Sequence, residues 1–283
     1  MTSERRGILL VAAAALLWST GGLGIKWLDE PPLKIAFYRS ATAAVALAIL
    51  FRPRIWRWSA AFLVGIVSYA ACLTTFVLAT KWTSAANAIF LQYCGVVWVL
   101  LFSPLVLKEP FHRRDAVAVT IAFGGMLLFF AGKFESRSYA GEIAALASSV
   151  FFATLVIALR RQRGQAAEAV ITWGNVLAAV VLLPFVYRDL AVSTQSAVVL
   201  SFLGVIQIAG AYALFVQGLR HVTATQASLV GMLEPISNPV WVFLALGERP
   251  GVFSILGGAV VLSAIAWRTL TGGPPAAEAA PPD

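Results

Sequence analysis

Long apolar runs separated by short charged or turn-like segments dominate this chain. Breaking the pattern at those segments gives runs over 7–28, 33–51, 58–80, 83–107, 114–132, 141–159, 168–187, 197–219, 222–247 and 252–270. Each is close to the roughly 20 residues that an α-helix needs to cross a ~30 Å hydrocarbon core. Apolar and polar residues do not alternate with a period of two, so a transmembrane barrel fits poorly. Too few polar faces remain for a bundle in water. The pattern predicts an all-α integral membrane protein with ten transmembrane helices.

Composition sharpens this. The 283 residues are 60% hydrophobic and 12% charged, with a mean hydropathy of +0.84, whereas a soluble domain carries roughly 25% charged residues. A cytosolic enzyme, a nucleic-acid reader and a secreted disulfide scaffold are excluded. The net charge is +8, and ten of the 21 basic residues fall in the clusters Arg5-Arg6, Arg52/Arg54/Arg57, Arg113-Arg114 and Arg160-Arg161-Arg163. Between apolar runs such clusters act as topology signals, not nucleic-acid contacts, and all of them fall on one side if the N-terminus is cytoplasmic. Both termini are then expected inside.

The first run is longer than the roughly 7–15 residues of a signal-peptide core and is expected to stay as the first span. Residues 271–283, rich in Pro, Ala and Gly, are expected to form a disordered tail. Cys72 and Cys94 lie within apolar runs and suggest neither a disulfide framework nor a metal site. No metal or cofactor is expected.

A faint internal repeat divides the spans into two sets of five. Gly7 through Trp18, Thr20 and Lys26 matches Gly141 through Phe152, Thr154 and Arg160 without a gap. The fourth span of each set opens with small polar residues, 83–87 and 223–227, and ends near Glu109-Pro110 or Glu248-Arg249-Pro250. Five is odd, so the second set must lie inverted, as in transporters built around a midplane site. The expected units are residues 1–132, residues 141–270 and the tail.

With Trp18-Ser19, Phe37-Tyr38-Arg39, the openings of spans 4 and 9, Leu233-Glu234-Pro235-Ile236 and 247–250, the chain resembles the drug/metabolite transporter superfamily, EamA type. Within it, the chain is similar to YddG-type exporters of aromatic amino acids. The resemblance covers Gly7 to Leu270. It implies two EamA-like repeats, a central cavity among helices 1, 3, 4, 6, 8 and 9, and helices 5 and 10 standing outside as supports. Many members have a proline in mid-span 4, where Gly95 or Val96 stands here, so no proline kink carries over to that span. Thr120/Gly124 and Ser254/Gly258 form small-xxx-small pairs suited to packing within the chain. A monomer is expected; dimerisation is the other use of such pairs.

Span 9 carries the most chemistry. A carboxylate at Glu234, in mid-run, costs at least ~2.5 kcal/mol unless paired, hydrated or protonated. Pro235 and Pro239 donate no backbone bond, so the carbonyls of Gly231 and Pro235 lose their helical partners. Gln226, Glu234, Asn238 and Trp241 recur on one face. They form either a substrate-facing stripe, with Glu234 meeting an ammonium or a proton, or a structural set bonded to neighbouring helices.

Asn87, Gln92, Tyr93 and Trp98 of span 4, and Gln207 and Tyr212 of span 8, add uncharged donors and acceptors. Tyr69 of span 3 joins the cavity candidates. Trp18, Trp98, Trp173 and Trp241 lie away from span ends and suggest an aromatic pocket, with lipid contact as the alternative. Arg39 lies in the first two turns of span 2. Snorkelling to the interface accounts for it most simply; capture of a substrate carboxylate is the other option.

No Gly-x-x-x-x-Gly-Lys-Ser/Thr loop is present, so transport would be secondary or facilitated. The resemblance implies an inner-membrane exporter of neutral or aromatic amino acids, with lipid bilayer and solute as partners. Export of drugs or other metabolites is the alternative. The small multidrug members rely on an acid in their first helix, and span 1 has none between Gly7 and Leu28. An intramembrane enzyme finds no His-rich cluster or Asp dyad within the spans.

Overall fold

A computed structural model describes residues 3–52, 59–109, 112–131, 138–162, 164–237, 241 and 251–271. Among them every regular element is helical and no strand occurs. In chain order these are α1 (Ser3–Trp18), α2 (Gly21–Trp27), α3 (Pro32–Phe51), α4 (Ala60–Trp82), α5 (Ala85–Gln92), α6 (Gly95–Leu107), α7 (Arg113–Phe129), α8 (Tyr139–Gln162) and α9 (Gly164–Val186). They continue with α10 (Thr194–Phe202), a π-helical segment (Leu203–Gly210), α11 (Ala211–Leu219), α12 (Ala224–Gly231) and α13 (Val252–Thr271).

Eight stretches are long and apolar enough to cross a bilayer: 3–27, 32–51, 60–82, 87–107, 139–162, 166–186, 194–219 and 252–271. The chain is therefore a multi-pass membrane protein. The fifth expected span is represented by α7, which has only 17 residues. Of the ninth expected span, residues 222–237 and 241 are described.

Short polar caps end these helices, because backbone groups left open near lipid must be satisfied within the protein. Ser59 accepts from Phe62 N, and Ser84 from Asn87 N. Thr223 and Gln226 form a reciprocal capping box on α12. Pro32 opens α3, where a missing N–H costs nothing.

Packing partners alternate between the two halves of the chain. α1 lies against α11 and α12, whereas α8 lies against α4, α5 and α6. α3 packs on α9 and on the π-helical segment, while α9 also packs on α4. The same exchange appears at the ends of the first and sixth spans. A Cβ on Gly7 would meet His221 Cβ at 2.7 Å and the Gly218 carbonyl at 3.0 Å. A Cβ on Gly141 would meet Thr83 N at 2.8 Å and the Trp82 carbonyl carbon at 2.9 Å. Glycine lets each helix start press onto the turn at residues 218–222 or 82–83.

α7 and α13 form an antiparallel pair, with Asp115 at one helix start bonded to Arg268 near the other helix end. The close approach uses Gly125 and Gly257: each would drive a Cβ into the other's carbonyl oxygen. The pairs expected from sequence, Thr120/Gly124 and Ser254/Gly258, are thus partly corrected. Gly124 faces open space and the Thr120 hydroxyl is exposed, while Ser254 is buried and Gly258 packs near Ile236 and Phe129. The adjacent glycine of each pair makes the contact, because rotation of a helix about its axis depends on its partner.

Candidate functional site

Four of the spans are irregular, and Trp18, Gln92, Gln207 and Glu234, at or beside the four irregularities, line one cavity. The first span breaks at Ser19-Thr20, whose hydroxyls fold back onto the carbonyls of Leu16 and Leu17. The fourth breaks at Tyr93-Cys94, between α5 and α6, with glycine and no proline at the restart. The eighth widens into a π-helix carrying Gln207, a form that recurs at functional sites. The next breaks after Gly231, at Met232. α5 and α12 are both eight residues long.

Tyr93 joins two of these breaks. Its hydroxyl lies 2.6 Å from the Gly231 carbonyl, the group that Pro235 leaves without a partner, and 2.8 Å from Glu234 Oε2. A phenol has one proton to donate. Both contacts are hydrogen bonds at once if Tyr93 donates to Gly231 and accepts from a protonated Glu234. Tyr93→Phe would leave the buried Gly231 carbonyl open, a loss of about 1–3 kcal/mol. A lower thermal unfolding midpoint in detergent is expected; an unchanged midpoint would show that the bond contributes nothing net.

A central cavity of about 30 Å³ lies among these elements, lined in part by Trp18, Arg39, Gln92, Gln207, Tyr212 and Glu234. A water needs roughly 10–15 Å³ of such space, so this conformation admits water and no larger solute. Arg39 is 2% exposed, and its Nη2 donates to Gln207 Oε1 at 2.7 Å. Gln207 in turn donates to the Trp18 carbonyl at 3.2 Å. Trp18 Nε1 and Arg39 Nε are buried donors without a hydrogen-bond acceptor among the described residues. Trp18 packs edge-on to Tyr212 at 4.8 Å, and Tyr212 packs against Tyr69 at 4.7 Å.

Polar contacts also join the spans at their two ends. At one end Arg160 bonds Glu109 at 2.7 Å and the Leu219 carbonyl at 2.7 Å, and Glu109 also accepts from Ala224 N. At the other, Lys26 donates to the Thr83 carbonyl at 2.8 Å and Lys81 to the Leu28 carbonyl at 2.6 Å.

The remaining candidates separate. Tyr69 sits behind the cavity wall, its hydroxyl accepting from Asn175 Nδ2 at 2.8 Å. Trp241 Nε1 donates to Ser19 Oγ at 2.7 Å, tying the ninth span to the break in the first. Asn87 is buried beside Thr83 at the Lys81 end, and Gln226 is taken up by its capping box and by Glu4. Neither lines the cavity, because each serves the first turn of a helix. Trp98 is 38% exposed and stacks on Phe102 on the outer surface, which corrects its place in an inner aromatic pocket. Trp173 packs on the core from α9 without reaching the central cavity. Asn238 lies outside the described residues.

Arg39 does not snorkel: its charge is buried with Gln207 and Glu234 about the same cavity. Sequence reasoning missed Phe76, Phe152 and Cys72 as wall residues, yet all three line the cavity. The alignment of Phe152 with Trp18 in the internal repeat was the available signal. Gln92 reaches Ser148 Oγ at 2.8 Å and braces that wall.

Interrupted helices around a buried polar site, within a multi-pass bundle, define a carrier-like membrane protein. The chain belongs to the EamA-like transporter family, whose model matches residues 5–131 and again residues 139–270. Among its relatives is an uncharacterized transporter of Archaeoglobus fulgidus, 22% identical over 91% of this chain and 95% of that one. The uncharacterized inner membrane transporter YicL of Salmonella typhimurium is 25% identical over 94% and 95%. The uncharacterized transporter YwfM of Bacillus subtilis is 27% identical over 90% of each chain. A protein crystal structure matches with a TM-score of 0.76 at 18% identity, over 93% of this chain and 97% of that chain, and so shares the fold. Family and relatives point to a transporter of small molecules and away from an enzyme.

Proposed function

We propose that this protein is an inner-membrane secondary transporter of the YddG type that exports neutral and aromatic amino acids by alternating access. The observation that carries the substrate class is the placing of Arg39 and Glu234, opposite in charge, on one small cavity with the rings of Trp18 and Tyr212. In this proposal the unsatisfied donors Trp18 Nε1 and Arg39 Nε receive the substrate carboxylate. Glu234 receives the ammonium, or the proton that drives exchange. Gln92 and Gln207 complete the polar lining, while Tyr93 holds Glu234 and Tyr69 and Trp241 support the site from behind.

The proposed architecture is ten spans in two inverted five-helix repeats, residues 1–132 and 141–270, with both termini cytoplasmic. The exchange of packing partners between Gly7 and Gly141, and the equal lengths of α5 and α12, support it. The ties at both ends support a carrier that occludes its solute before opening to one side. The chain is proposed to work as a monomer, with residues 271–283 as a tail outside the two repeats.

The test is uptake of a labelled amino-acid panel by proteoliposomes, with and without a pH gradient. Saturable uptake of aromatic and neutral amino acids is expected, with charged ones excluded. Flux of none of them, alongside flux of cationic drugs or other metabolites, would overturn the substrate assignment.

A further inference from the structure

A second cavity, of about 900 Å³, lies between α4, α6 and α8 and is far larger than the central one. Its walls are apolar, with Val64, Trp98, Phe102, Val106, Val150 and Ile157 among them. One end is polar and formed by Ser59, Arg161 and Gln162, where Gln162 Nε2 donates to Ser59 Oγ at 3.1 Å. Arg160 is committed to Glu109. The adjacent Arg161 is exposed and without a partner among the described residues.

Two features select the occupant. The first is charge. No acidic residue occurs anywhere from 31 to 108 or from 143 to 167, so neither α4 nor α6 carries one and the α8 acid, Glu142, lies at the opposite end of that helix. The second is depth. From Arg161 back to Val150 along α8 is about 16 Å at 1.5 Å per residue, roughly half of a ~30 Å hydrocarbon core. The groove thus has a cationic end where lipid headgroups lie and an apolar wall one leaflet deep.

We propose that this groove is a binding site for an anionic phospholipid. Its phosphate sits on Arg161 with the Gln162 and Ser59 side chains beside it, and an acyl chain runs along α8 against Trp98 and Phe102. The site is separate from the central cavity and independent of the solute transported there.

The test uses the full-length protein in phosphatidylcholine vesicles carrying a small fraction of brominated phosphatidylglycerol or brominated phosphatidylcholine. The quenched fluorescence of Trp98 is read as the difference between the native protein and Trp98→Phe. Brominated phosphatidylglycerol is expected to quench this component at about fivefold lower fraction, the scale of one Lys or Arg acting on an anionic lipid. Arg161→Gln should erase the difference and Arg161→Lys should keep most of it; both sites are exposed, so folding is not at stake. Equal quenching by the two lipids would mean ordinary boundary lipid and overturn the proposal. A preference unchanged by Arg161→Gln would overturn it too. Native mass spectrometry of retained phosphatidylglycerol, wild type against Arg161→Gln, gives the same comparison without the tryptophan variant.

Discussion

Glu234→Gln is expected to cut amino-acid exchange in proteoliposomes by roughly 10- to 100-fold while leaving the fold intact. The amide has the same shape and can still bond the Tyr93 hydroxyl at the 2.8 Å position, so the tie between the two broken helices survives. What disappears is the ability to carry a charge or exchange a proton. A hydrogen bond to a charged group contributes about 1.5–3 kcal/mol, and each 1.4 kcal/mol is tenfold in affinity. If Glu234 is the proton site, any dependence on a pH gradient should vanish with it. Arg39→Met should show a loss of similar size, with selectivity against decarboxylated analogues lost as well. Native flux in Glu234→Gln, at an unchanged thermal midpoint, would make this carboxylate structural.

The second large effect is expected at the far pair of helices. Asp115 and Arg268 are 5% and 7% exposed and bonded to each other, joining α7 to α13 where no other described acid is paired with Arg268. Asp115→Ala should cost about 3–5 kcal/mol, because it strands a buried charge. The double variant Asp115→Leu/Arg268→Met should recover most of that loss, since an apolar pair needs no compensation. Thermal unfolding of the purified protein in detergent distinguishes the cases. A double variant as unstable as the single one would show that the pair has a role beyond neutralising itself.

How much of this was legible beforehand differs from residue to residue. Pro235 announced that the Gly231 carbonyl would lack its helical partner, because proline has no N–H to offer. That the hydroxyl of Tyr93 fills the place could not be read, since the two residues are 138 apart in the chain. Glu234 stood out because a carboxylate in an apolar run is costly anywhere in the membrane. Arg39 was ambiguous for the same reason turned round: a long cation near a span end can reach water or bury itself. Only Gln207, 168 residues away, decides which. Trp98 looked like an inner residue because it was distant from the span ends, yet depth along a helix says nothing about which way the side chain faces.

Sequence alone determined the properties that belong to a window of some twenty residues. These are the membrane-spanning helices, many of their ends, the weak point ahead of Pro235, and the cationic flank at Arg160-Arg161, whereas the breaks at Ser19 and before Gly95 appeared only in the fold. Tertiary structure alone decided which face of each helix points inward, which glycines touch, and which polar groups meet at the cavity. The physical reason is that hydropathy is summed along one helix, whereas rotation about a helix axis is set by partners on others. In a bilayer both lipid-facing and buried faces are apolar, so the amphipathic stripe that would reveal that rotation in water is largely absent.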